Sequence, residues 1–489
     1  MEWSEFEFGD SIAGLLIDGV DDMPYVGATF RIIDPQGVVV EIPYLAHHDA
    51  DQFAHVAKWF SQQSPPKNML MRTPEGTISM FDVAWSGHSE TWGGDKSSLG
   101  KLRPNEVVFA NREGPLADAL EMAELHSYVD AATLWSRATA VTTDRETDED
   151  GKVQGVTIHL AGGPVVSWNQ GEATMELRSS WSHHPVRGPL ATVTTLNDSV
   201  TLVSKFEAGS REFWDHFVEQ RKFATLLVFV FGRPISFRRH QMRDDRFPTR
   251  GGREGTVMDL PLRELISRRT LGERSRQLPL GKDFDRPLVP FAAVGSEGLE
   301  AWSDAYDKWS RFIVPSAAIL NRSGAFIEDV VLSTSMSLEA AGALLGKRDG
   351  EEVTRRGRAK TTATYVYRCL AELSLTWPGR IQTVVGLARA IADNYNDLKH
   401  ADRGEFPDQV ISYVISQTNR FVVRAIALSR TSSSDSLRES FQQSTELNGI
   451  AELLHLNGLS IDDDGHWTHD PENEEPATLP PGIQFGPNP

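Results

Sequence analysis

A single cysteine, Cys369, stands in 489 residues. No internal disulfide can therefore staple the fold, and the apolar run around Cys369 predicts a buried thiol. Long apolar runs are also missing. The longest, Phe223 to Phe231, falls far short of the roughly 20 residues that span a bilayer. The opening residues, Met1-Glu2-Trp3-Ser4-Glu5-Phe6-Glu7, are acidic and carry no basic n-region. That argues against a secretory signal and leads to the expectation of a cytoplasmic protein with no membrane partner. Several catalytic signatures are absent. Gly346-Lys347 is followed by Arg348 rather than Ser or Thr, so there is no P-loop, and neither Gly-x-Ser-x-Gly nor His-Glu-x-x-His occurs.

What is present has the balance of a globular protein, 40% hydrophobic and 24% charged. The length predicts about two or three domains. A formal charge of -19 argues against a surface that binds nucleic acid everywhere and leaves room for a local basic patch. His47, His48, Asp49, Asp51 and His55 invite a metal reading, since His48, Asp51 and His55 would share a helix face. Nothing else in the chain supports it, and the sequence calls for no metal and no cofactor. The acidic stretch Asp144 to Gly151 fails as a calcium loop, because Thr157 stands where the twelfth-position Glu belongs. It reads as an exposed turn.

The first part of the chain reads as β. Ser11–Gly19, Val26–Ile33 and Gly37–Tyr44 are short Val/Ile/Phe-rich runs, the last two a hairpin around Asp34-Pro35-Gln36-Gly37. Asp51–Phe60 reads as a short helix. Thr77–Trp85, Val129–Val141, Val153–Leu160, Thr174–Leu177, Leu190–Thr194 and Ser199–Phe206 continue the strand rhythm, as in a sandwich or barrel. From Ser210 the apolar spacing becomes helical, ending at Gly232-Arg233-Pro234. Helical spacing then dominates from Leu299: Ser333–Leu345, Thr361–Leu375, Arg380–Lys399, Pro407–Ser429 with Pro407 in the first turn, and Leu437–Leu459. Asp462–Pro489, with seven acidic residues, no Lys or Arg and many prolines, is expected to be disordered. The expected class is α+β. A β-rich amino-terminal domain (1–300) precedes a helical domain (301–459) and a tail (460–489).

Two stretches carry candidate chemistry. Between Arg233 and Arg276 twelve arginines face six carboxylates, a local surplus of +6. Arginine forks match phosphate oxygens, which makes Arg238, Arg239 and Arg243 candidate RNA contacts. The same arginines could instead pair with the protein's own carboxylates. The second stretch is Asn394-Tyr395-Asn396-Asp397-Leu398-Lys399-His400 at a helix end. Asn396 and His400, four apart, would share a face, and an imidazole there can serve as a base. A solvated helix cap would look the same.

A β-rich first half, a basic connection and a helical domain with Asn-Asp-Leu-Lys-His at a helix end resemble the ApeA-type anti-phage HEPN proteins. The resemblance covers roughly residues 1–430 in layout. It implies a sensing amino-terminal domain, a phage-derived trigger, and a homodimeric, metal-independent ribonuclease acting on RNA, tRNA among the candidates. Asn396 matches the family's polar residue and His400 its His, with Lys399 beside them. Tyr395 stands where the family has Arg, and Arg403, or else Lys399 or Arg389, would have to supply the positive charge. The alternatives are a non-catalytic HEPN protein that binds RNA or a partner, and an interaction protein without a nucleic-acid role.

Overall fold

A computed structural model describes residues 6–17, 25–33, 37–45, 51–89, 97–251, 256–400, 402, 406–432 and 434–470. The turn at Asp34-Pro35-Gln36, the residues His47, His48 and Asp49, Arg403, and the tail beyond residue 470 lie outside them. The class is α+β: one antiparallel sheet of 14 strands in the first part of the chain, and helices after it.

Alternation set the strands correctly where one face is buried. Val26–Ile33 pairs with Gly37–Tyr44, Thr29 opposite Glu41, as the hairpin reading expected. Three readings need correction. Leu190–Thr194 is not a strand of its own, since 188–191 form the turn between Ala173–Arg187 and Thr192–Phe206, where Gly188 N donates to Ala191 O at 2.8 Å. Thr77–Trp85 is two strands, Gly76–Phe81 and Ala84–Ser89, because Asp82 between them takes a left-handed φ of 47°. Val129–Val141 is not a strand. It holds a five-residue helix, α2 (Ala132–Ser136), bracketed by left-handed Ala131 and Arg137. Among the described residues one α-helix comes before it, α1 (Asp51–Ser61).

The sheet packs two cores. The first gathers Phe30, Val40, Phe60, Met71, Ile78 and their neighbours beneath α1. The second runs from Phe81 through α3 (Phe213–Phe231) into the helical part of the chain as far as Ile461. The two halves of the sheet meet where Glu106–Val108 pairs with Leu265–Ser267, just before α4 (Arg268–Arg274). The helical part comprises α5 (Phe291–Lys308), α6 (Ser310–Leu320), α7 (Ile327–Leu345), α8 (Thr362–Leu373), α9 (Val384–Lys399), α10 (Gln409–Leu428), α11 (Asp435–Gln442) and α12 (Thr445–Leu456). Small residues on α7 let its neighbours approach closely: a Cβ on Gly342 would overlap the Tyr365 carbonyl of α8. Pro407 precedes α10 instead of opening it, since Asp408 is the cap and its side chain accepts from Ile411 N at 2.9 Å. Residues 459–469, the last of them expected to be disordered, form a hairpin of Leu459–Ile461 and Trp467–His469. Cys369 is buried, and that burial pushes its thiol well above the ordinary range. No helix among the described residues is long and apolar enough to cross a membrane.

Between α3 and the sheet lies a buried polar network. Ser127 Oγ meets Gln220 Oε1 and, at 2.7 Å, His240 Nδ1. His240 Nε2 meets Thr270 Oγ1 at 2.9 Å. Gln220 Nε2 donates to Ser204 Oγ, which meets His216 Nδ1 at 2.9 Å. Burial holds His216 at about 4 and His240 at about 3. Both imidazoles stay neutral in the fold, so the unfolded chain takes up protons that the native chain refuses. Their contribution is therefore whole above the ordinary imidazole value of 6.5 and is lost as pH falls from there toward 4 for His216 and toward 3 for His240. Tm should drop over that window, and His240→Gln should make the drop shallower. An identical pH slope in a thermal melt of the variant would refute the assignment.

Candidate functional site

Helix α9 starts at Thr383, whose hydroxyl accepts from Gly386 N at 3.1 Å. Leu387, Ala388, Ile391 and Tyr395 lie on its buried face, and only Asp393, Asp397, Lys399 and the cap beyond them are exposed. Lys399 closes the last turn, where a cation suits the negative end of the helix dipole. His400 is the cap. Its backbone N–H still donates to Asn396 O at 3.0 Å, but its φ is -114° and its ψ 93°. That φ is about 50° beyond the helical value. His400 has thus left the helical backbone path, and no hydrogen bond links its side chain to that of Asn396 among the described residues. His400 is exposed and Asn396 half-buried.

The structure places Tyr395, Asn396, Lys399 and His400 together on this helix end. Tyr395 is only 2% exposed, and the Lys399 ammonium lies over its ring, 5.2 Å from the centroid. The phenol position that the resemblance aligns with an arginine thus belongs to the core, with a lysine over its ring. The tyrosine-lysine stack went unread in the sequence, although its signal, an aromatic and a cation four apart, was available. Asn394 turns inward instead, and its amide donates to Ser412 Oγ of α10 at 3.1 Å. Arg389 is engaged elsewhere, donating to Asp464 Oδ1 at 2.6 Å and to the Val353 carbonyl at 2.8 Å. Arg403 lies outside the described residues. His55 packs edge-on against Trp59, and no metal-binding group of three or more His, Cys, Asp or Glu occurs among the described residues.

The candidate RNA contacts Arg238, Arg239 and Arg243 occupy one strand, Phe237–Arg243, in the middle of the sheet. Arg238 forks onto Asp130, Nε to Oδ1 at 2.8 Å and Nη2 to Oδ2 at 2.7 Å, and reaches the Arg276 carbonyl at 2.6 Å. Arg239 forks onto Glu264. Arg243 lies 3.6 Å from Glu124, which also takes Lys205 at 3.0 Å and His126 at 2.9 Å. The His126 hydrogen bond, with those two cations, holds Glu124 at about 2. Further along, Arg246 pairs with Asp244, Arg250 with Glu113 and Arg233 with Asp283. Arg239–Glu264 and Arg243–Glu124 are cross-strand charge pairs, and in all of these contacts the arginines meet internal carboxylates.

Comparison with family models, with curated proteins and with solved structures finds no match to this chain.

Proposed function

We propose that the protein is a HEPN-type effector of anti-phage defence that acts on RNA, with the end of α9 as one half of a site completed by a second copy. One observation supports the reading above the others: an exposed imidazole, His400, next to an exposed ammonium, Lys399, at an open helix end. Such a pair supplies a base and a charge for RNA cleavage. His400 takes the proton from a 2′-hydroxyl as that oxygen attacks the phosphorus. The bond to the 5′-oxygen breaks, that oxygen takes a proton from the imidazole of the second copy, and a 2′,3′-cyclic phosphate remains. Lys399 bears on the phosphate oxygens, where charge develops. In this role it replaces the family arginine.

The burial of Tyr395 favours a second reading, a HEPN domain that binds RNA without cutting it. No guanidinium fork stands at that position, and a point-charge lysine holds phosphate less specifically than arginine. One experiment separates the readings. The full chain is incubated with tRNA and with unstructured RNA, and both cleavage and binding are read. On the first reading the native chain cleaves, and His400→Ala lowers the rate by about 10²-fold or more, as expected for a lost general base. Folding should be intact because the side chain is exposed. Binding without cleavage that weakens in Lys399→Ala supports the second. If His400→Ala cuts as fast as the native chain, the site lies elsewhere, and a chain that neither binds nor cuts RNA refutes both.

A further inference from the structure

We propose that the cleft at the seam of the two sheet halves binds a small organic cation, an ammonium or a guanidinium, with Glu106 as its anionic partner and Trp214 as its flat wall. The cleft, about 350 Å³, is lined by Lys67, Asp82, Glu106, Glu212, Trp214 and Arg269 among others. Its volume sits at the lower end of small-molecule sites.

The case rests on which polar groups already have partners. Asp82 does. Its left-handed backbone aims the carboxylate at the Asn105 amide and at Lys67 Nζ, 3.4 Å away. Asn68 does as well. It donates to the Leu116 and Asp118 carbonyls at 2.9 Å each and accepts from Asp82 N at 3.2 Å. Glu106 differs. Among the described residues only the Ser267 hydroxyl comes within hydrogen-bond reach of its carboxylate, at 3.5 Å. Arg269, a cation whose charge acts on it, sits over the Trp214 ring, 4.4 Å from the centroid. It forms no ion pair with Glu106 among the described residues. Glu212 caps α3 without a side-chain hydrogen bond. Elsewhere in the chain Asp130, Glu264 and Glu351 each meet an arginine fork.

Burial raises Glu106 to about 7, opposed by Arg269 and Ser267 and reinforced by Asp82 and Glu212. Left alone, the ionised carboxylate is unfavourable in the fold. A bound cation would relieve that desolvation and the repulsion from Asp82 and Glu212 together. An anion would instead meet three carboxylates, with Lys67 already on Asp82 and Arg269 on the indole. A metal ion fits poorly, because no group of three or more ligating side chains is assembled among the described residues. With Arg269 over its ring Trp214 is still 45% exposed, and aromatic surface left open in this way attracts ammonium and guanidinium groups. A free small molecule or the side chain of a presented peptide carries the same chemistry.

The test is calorimetry on the full chain at pH 8 with agmatine, spermidine and a blocked arginine dipeptide, the last standing for a peptide source. Saturable binding of at least one is expected, at least about tenfold weaker in Glu106→Gln and weakened in Trp214→Ala. Only the ionised carboxylate binds, so affinity should fall about tenfold between pH 8 and pH 6 as the competent fraction shrinks. Glu106→Gln removes a charge that burial opposes, so the variant should melt no lower than the native chain at pH 8, and lost binding cannot be assigned to unfolding. No binding of any probe at millimolar concentration overturns the proposal. So does binding that Glu106→Gln and pH leave unchanged. The result is independent of α9, since loss or gain of ribonuclease activity at His400 alters neither arm.

Discussion

Replacing Glu351 with Ala should destabilise the protein by about 3–5 kcal/mol, the loss expected when one member of a buried ion pair is removed. Glu351 opens a short 3-10 turn, Glu351–Thr354, in the connection between α7 and α8, and its side chain is wholly buried. Arg368 of α8 forks onto it at 2.6 and 3.0 Å and uses its remaining Nη1 on the Gly342 carbonyl of α7 at 3.0 Å. Arg355 and the backbone N–H of Arg348 complete the set. These bonds, Arg368 first, hold the carboxyl far below its usual range. The contribution is therefore present above the ordinary glutamate value and is lost as pH falls below it. Alanine leaves two arginines facing each other around a void. The fall should appear as a lower denaturant midpoint. A midpoint within experimental error of the native value would show that water enters and solvates the arginines. Arg368→Met paired with Glu351→Leu should recover much of the loss, because the deeply buried guanidinium goes with its partner, and Arg355, 23% exposed, can turn to solvent.

Arg424→Met should lower stability by a similar amount, about 3–5 kcal/mol, through a different contact. From α10, Arg424 donates to the Phe229 carbonyl at 2.8 Å, the Val230 carbonyl at 2.7 Å and Glu446 of α12 at 2.7 Å. Arg420 adds the Gly232 carbonyl at 3.1 Å. These are the last carbonyls of α3, which a helix leaves without internal partners and where its dipole is negative. Gly232 ends α3 at a φ of 66°, and a Cβ there would meet the Arg424 guanidinium, so the close fit requires glycine on one side and arginine on the other. Glu446→Gln should cost much less. Its side chain is 27% exposed, and the two carbonyl bonds survive. A Glu446→Gln midpoint as low as that of Arg424→Met would mean the ion pair, not the helix end, holds α3 to α10.

Local pattern made much of the architecture legible. The hairpin of Val26–Tyr44 and the helices α3 and α8 to α10 follow from which face is apolar. Readings failed where a few residues break a pattern by their backbone. Left-handed Asp82 splits one strand, and left-handed Ala131 and Arg137 turn an apolar stretch into α2. Composition misled at Asp462–His469, where acidic residues hide a hairpin whose Asp462 side chain accepts from the backbone of Asp464 and His466. The basic segment was visible as charge, but its partners were not. Arg238 meets Asp130 and Arg250 meets Glu113, each more than a hundred residues away in sequence. At α9 the departure at Tyr395 could be read, whereas its burial depends on what packs against the helix. Glu106 carries no motif at all, because its meaning comes from what fails to pair with it.

The seam between Glu106–Val108 and Leu265–Ser267 also bears on how the protein is made. Strands 76–81 and 106–108 leave the ribosome early and can pack the first core. The outer side of Glu106–Val108 then waits for a strand that is synthesised much later. At ordinary translation speed that wait is on the order of 10 s. The second core waits longer still, since its residues continue through α12 to Ile461. During synthesis the nascent chain therefore displays an unpaired strand edge, a surface that invites wrong pairing until residues 263–267 arrive. Chaperone demand and misfolding should concentrate in that interval, and a chain cut between the two seam strands should aggregate.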